Sequence, residues 1–184
     1  MKILNFFIVA FLLFSASLKS QNLVTNGDFS EMNGSKLANW SPSGPSSKVT
    51  CTLDESIFRS APRAVKIVGD SVGWRGWRNS EIQVEAGKTY NISFYAKANS
   101  LGKGTRIGIS FTLKNASNEN IGKPVFPIIF NEGGSFDWKL MEAEYTIPEG
   151  GAKIVALCVR LDPTKAATPD QTVWYDDVKV ELKK

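Results

Sequence analysis

The stretch Tyr90-Asn91-Ile92-Ser93-Phe94-Tyr95-Ala96-Lys97 alternates without a break, placing Tyr90, Ile92, Phe94 and Ala96 on one side of the chain. A repeat of two belongs to a strand with one buried face. Working outward, the same repeat recurs within Arg106–Lys114, with Ile107, Ile109, Phe111 and Leu113 inward. It returns at Met141, Ala143, Tyr145 and Ile147, and at Val155, Leu157, Val159 and Leu161. The last such face carries Thr172, Trp174, Asp176, Val178, Val180 and Leu182. Shorter candidates lie at Lys48–Leu53, Ala64–Val68 and Val72–Arg78. Turn residues separate these runs, as in Asn26-Gly27-Asp28, Ala86-Gly87-Lys88 and Leu101-Gly102-Lys103-Gly104. After residue 20 no window holds apolar residues at helical spacing over three turns. The pattern predicts an all-β fold of about eight to eleven short strands, a two-sheet sandwich or a barrel. Asn115–Asn120 and Pro163–Asp170 are the longest polar loops.

The first twenty residues read differently. Met1-Lys2 is followed by a run that is apolar from Ile3 to Phe14 except for Asn5, and then by Ser15-Ala16-Ser17 and Leu18-Lys19-Ser20. A positive start, a short apolar run and small residues are the layout of a secretory signal, cleaved after Ser20 or Ser17. The run is shorter than the roughly 18 to 20 residues that span a membrane, so no membrane insertion is expected after cleavage. The expected organisation is a signal peptide at 1–20 and one β-sandwich domain at 21–184. The domain would be secreted, periplasmic or on the cell surface, and a monomer.

The chain has 184 residues with 22 basic and 18 acidic side chains. Without Lys2 and Lys19 the balance is +2, which gives no electrostatic reason to expect nucleic acid as a partner. There is no histidine. Ser-His-Asp and Cys-His nucleophile systems and His-based zinc sites are thereby excluded. Cys51 and Cys158 are the two cysteines. An exported chain permits a disulfide between them. Cys51, however, shares parity with Val49 and Leu53, whereas Cys158 is out of phase with its apolar neighbours, so two free buried thiols are equally open.

Three segments resemble bacterial carbohydrate-binding modules of families four, nine and twenty-two. Asn22-Leu23-Val24-Thr25-Asn26-Gly27-Asp28-Phe29-Ser30, with Trp40 beyond it, is similar to the opening strand and turn. Val84-Glu85-Ala86-Gly87-Lys88-Thr89-Tyr90 and the alternating stretch after it resemble the central strand. Val173-Trp174-Tyr175-Asp176-Asp177-Val178-Lys179-Val180 resembles the closing strand. The resemblance implies a jelly-roll β-sandwich that binds a polysaccharide or oligosaccharide without cleaving it.

Two constellations follow. Alternation points Asp176 inward, where a carboxylate must be paired or bind a cation. The resemblance implies a structural calcium held by Asp176 with Asp28 and Ser30, helped by the stretch near Asp54 or Ser60. Many relatives carry Glu where this chain has Ser30. An Asp hydrogen-bonded to backbone amides is the competing reading. The second constellation is Gly73-Trp74-Arg75-Gly76-Trp77-Arg78-Asn79. A flat indole covers the C–H face of a sugar while amides and guanidiniums satisfy its hydroxyls. In a strand, Trp74 and Arg78 share one face and Arg75 and Trp77 the other, so one Trp faces the core. The resemblance favours Trp77 as the ligand-facing one. Tyr95, Trp138 and Arg160 sit out of phase with the apolar faces and join Trp74, Trp77, Arg75, Arg78 and Asn79 as candidate glycan contacts. A protein-interaction or adhesion domain is the alternative function. A small lyase or hydrolase is a third, with Glu142 and Glu144 as the carboxylate pair or Tyr95 with Arg106 as base and partner.

Overall fold

The alternating stretch lies within a thirteen-residue strand, Thr89–Leu101, an interior strand of a five-stranded sheet. A computed structural model describes residues 21–45, 49–69, 73–163 and 170–184. The expected export signal and parts of three expected segments (Lys48–Leu53, Val72–Arg78, Pro163–Asp170) lie outside them. In chain order the strands are β1 (Met32–Asn33), β2 (Lys36–Leu37), β3 (Trp40–Ser43), β4 (Val49–Asp54), β5 (Ala64–Gly69), β6 (Arg75–Asn79) and β7 (Ile82–Gln83). They continue as β8 (Thr89–Leu101), β9 (Arg106–Lys114), β10 (Asn120–Phe130), β11 (Gly134–Thr146), β12 (Lys153–Asp162) and β13 (Thr172–Leu182). No helix occurs among the described residues. One large sheet runs β11-β8-β13-β5-β4, the other runs β10-β9-β12-β6-β3 with β7 pairing β12, and β1 and β2 form a separate two-stranded sheet. The fold is an all-β jelly-roll sandwich.

The expected inward faces form the core. Tyr90, Ile92, Phe94 and Ala96 from β8 meet Ile107, Ile109, Phe111 and Leu113 from β9, all buried. Phe94 packs edge-on against Tyr175 with ring centroids 5.3 Å apart. The opening motif closes one end. Asn26 adopts a positive φ, and its side chain bonds the Glu31 and Ala38 backbone. Gly27 lies so close to β13 that a Cβ would stand 2.1 Å from the Val178 carbonyl. This approach allows the Val178 amide to donate to the Gly27 carbonyl at 2.8 Å.

Two bulges correct the simple alternation. In β12 the register shifts after Val155, with Ala156 at positive φ, so Ile154 rather than Val155 joins Leu157 and Val159 in the core. In β13 the shift falls at Asp177, also at positive φ. Val173 and Tyr175 precede it in the core and Val178 and Val180 follow it. Trp174 and Asp176 therefore stand on the outer side of the sheet. An inserted residue reverses parity, which is why the inward expectation for Asp176 fails.

Candidate functional site

The outer face of the six-stranded sheet carries a groove because the strand neighbours of one arginine are glycines. Arg160 on β12 pairs with Gly76 on β6 and with Gly108 on β9. A Cβ on Gly76 would stand 2.2 Å from the Val159 carbonyl, and one on Gly108 would stand 2.1 Å from the Ile128 carbonyl. The bare backbone leaves Arg160 lying between two flanking aromatic rings. Its guanidinium is 4.0 Å from the Trp74 ring centroid and 5.2 Å from that of Phe126. Trp74 leads into β6 and Phe126 comes from β10, on opposite sides of β12 in the sheet order. Phe126 is 41% exposed. The space beside Trp74 and Arg160, about 240 Å³, is also lined by Arg78, Ser110, Pro124 and Cys158.

Electrostatics hold this arginine in place. Asp162, two residues along the same strand, accepts from Arg160 Nε at 2.8 Å and Nη2 at 2.7 Å. Its other oxygen pairs with Arg106 Nη2 at 3.2 Å. From beneath, the Tyr175 hydroxyl crosses the core, donates to the Arg160 carbonyl at 2.6 Å and accepts from the Gly108 amide at 3.0 Å. Burial holds the Tyr175 phenol well above its ordinary range, so the hydroxyl remains a donor.

The expected contacts divide among three locations. Trp74, Arg78 and Arg160 come together in the groove. Trp77 does not: it is 5% exposed and packed in the core, so the expectation of a ligand-facing Trp77 is corrected. Arg75, on the same side of β6, lies against the Cys51 thiol. Asn79 is buried, and its amide donates to the Thr25 and Asn39 carbonyls, a structural role. Tyr95 and Trp138 belong to the other sheet. Tyr95 lies under the Arg59 guanidinium at 3.6 Å, and Trp138 is half-buried on β11. Sequence reasoning missed Phe126 and Asp162. An Arg-x-Asp spacing along a strand puts both side chains on one face, which was a usable signal for Asp162.

The three residues expected to hold calcium do not suit that ion. Asp176 is buried, and its oxygens accept from the Arg59 amide (2.8 Å), the Ser60 amide (2.9 Å), the Ser60 hydroxyl (3.0 Å) and the Asp177 amide (2.8 Å). Burial pushes its carboxyl above the ordinary range, opposed by the Ser60, Arg59 and Asp177 donors. Asp28 is exposed and accepts from the Ser30 hydroxyl at 3.0 Å. Two guanidiniums supply positive charge here: Arg59 pairs with Asp177, and Arg63 donates to the Phe29 and Ser30 carbonyls at 3.3 and 3.0 Å. Calcium needs six to eight oxygen ligands, whereas N–H donors already surround this carboxylate. A chelator is therefore expected to leave the melting temperature unchanged. A fall of several degrees that added calcium reverses would restore the cation.

Cys51 and Cys158 are free thiols, which resolves the open choice against the disulfide. Both contact Gly76. The Cys51 Sγ lies 3.5 Å from its carbonyl, and the Cys158 Sγ is 2.7 Å from where its Cβ would be. Burial pushes Cys51 up to about 11, opposed by Arg75, and Cys158 up to about 12. Thiolate is the reactive form. A thiol reagent at neutral pH is expected to leave the native protein almost unlabelled and to label two thiols in denaturant; no label in denaturant would reinstate the bridge.

Glu142 and Glu144 are exposed on β11, on the other sheet, and Glu144 is paired with Lys183 at 2.6 Å. Tyr95 and Arg106 lie on different sheets, so they do not make an acid–base pair.

Residues 21–167 match the family described as a carbohydrate binding domain, and the chain belongs to that family. It is a carbohydrate-binding module, of a kind that binds glycans without catalysis. Among solved structures it is similar to the CBM22-1 xylan-binding domain of Paenibacillus barcinonensis Xyn10C. The TM-score is 0.60 at 13% identity, covering 90% of this chain and 96% of that one. It is also similar to TmCBM61 in complex with β-1,4-galactotriose, with TM-score 0.57, 19% identity and coverage of 89% and 100%. A third likeness is to the enzymatically active domain of bacteriophage CBA120 tailspike protein 4, with TM-score 0.64 at 16% identity. There the match covers 88% of this chain and only 21% of the phage chain. These likenesses describe the fold. No curated protein sequence matches the chain.

Proposed function

We propose that the glycan lies across the outer face of the six-stranded sheet, in the groove between Trp74 and Phe126. The observation that carries this reading is the pair of aromatic rings flanking Arg160 over strands bared by Gly76 and Gly108. Aromatic faces cover the C–H surfaces of the sugar rings, and Arg78, Arg160 and Ser110 meet their oxygens. Binding of this kind is an equilibrium process with modest affinity, since each polar contact replaces one to water. The module has no hydrolytic role of its own and acts outside the cytoplasm, on glycan that it meets after export.

The test is a titration of intrinsic tryptophan fluorescence with a panel of soluble polysaccharides, repeated on the Trp74→Ala variant. A saturable change that the variant loses supports the groove. Binding that persists in the variant, or that is lost instead on changing Tyr95 or Trp138, moves the site to the other sheet.

A further inference from the structure

The groove carries more cations than anions. Arg78, Arg106 and Arg160 line it, and Asp162 is the one carboxylate among its lining residues. Asp162 is shared between two of the three: it engages the Nε–Nη2 edge of Arg160 and one nitrogen of Arg106. Arg78 is exposed and has no ion-pair partner among the described residues. It sits opposite Cys158 on the adjacent strand, one diagonal step from Arg160 on the same face. Diagonal neighbours have side chains about 7–8 Å apart at the backbone, within reach of two long side chains converging on one group.

The donor balance gives this arrangement its meaning. A neutral sugar presents hydroxyls, each a donor as well as an acceptor. Guanidiniums only donate, so a surface dominated by them leaves hydroxyl protons without acceptors. A carboxylate or sulfate only accepts, and the planar guanidinium fork matches it in two-point geometry. Trp74 and Phe126 fix the Arg160 plane, so less freedom is lost when an anion docks.

We propose that the glycan is acidic, with a carboxylate or sulfate ester on a sugar ring held between Arg78 and Arg160. This rests on the groove being the binding face. The test compares polygalacturonate, glucuronoxylan and a sulfated galactan, each against its carboxyl-reduced or desulfated form, by calorimetric titration of the 21–184 chain. At least one acidic form is expected to bind roughly 10-fold or more tighter than its neutral partner at low salt. That preference should shrink toward about 1 M NaCl, where the screening length is about 3 Å. Arg78→Gln should cut the preference severalfold without changing the melting temperature. Lys179→Gln, which removes a charge from the other sheet, should leave it intact.

Whether the carboxyl-bearing or the sulfated pair shows the preference identifies the anionic group. Equal affinity for acidic and neutral forms, with Trp74→Ala still abolishing binding, overturns the acidic reading and leaves the groove standing. A preference that falls equally in Arg78→Gln and Lys179→Gln assigns it to overall charge and also overturns the proposal. Binding that ignores Trp74→Ala overturns both readings.

Discussion

Trp74→Ala is expected to weaken glycan binding by about 10- to 100-fold while the protein melts within a few degrees of the parent. An aromatic platform buried against a ligand is worth about 1.5–3 kcal/mol, and each 1.4 kcal/mol is tenfold in affinity. The indole has a second job in this groove. Its face lies 4.0 Å from the Arg160 guanidinium, so removing it also takes away one of the two rings that flank this arginine and leaves Asp162 to hold it. Stability should change little, because Trp74 is half-exposed and lies outside the buried core cluster. The measurement is a pair of titrations with one glycan that the parent binds, alongside thermal melts. Affinity unchanged within about twofold would remove Trp74 from the site.

Trp77→Ala should do the opposite. Trp77 is 5% exposed and packs among the residues that join the two sheets. Truncating a buried Trp costs about 3–5 kcal/mol, because the cavity collapses only in part. For a domain of this size each kcal/mol shifts the midpoint by about 2–4 °C, so a drop on the order of 10 °C is expected. Binding measured well below the new midpoint should persist. A variant that melts like the parent but no longer binds glycan would show that Trp77, not Trp74, meets the ligand. The two tryptophans are three residues apart and separate binding from folding.

The strands were legible wherever one face is buried and the other wet. Tyr90 to Ala96 and Ile107 to Leu113 point inward as their alternation requires. β10 was not legible, and it carries Phe126. Gly122, Pro124 and Pro127 argue against a strand, yet β10 is the edge of its sheet, where a missing amide is tolerated. The bulges at Ala156 and Asp177 left no mark that local reading can use. Each adds one residue to a strand and reverses the faces beyond it. For that reason Asp176 was expected to face inward, whereas it lies outside its sheet beneath Arg59 and Ser60.

The sequence by itself determined the all-β class, the order of the long strands other than β10, and the opening turn and closing strand that Gly27 and Val178 join. It also determined that Trp74, just before β6, and Trp77, within it, lie on opposite sides of the chain. Only the tertiary structure decided which of those sides meets the second sheet. Alternation along a strand defines two sides but is symmetric between them. The choice is made by partners far away in the chain: Val159 and Ile109 lie alongside Trp77 in the core, whereas Trp74 meets Arg160, which Phe126 flanks on its other side.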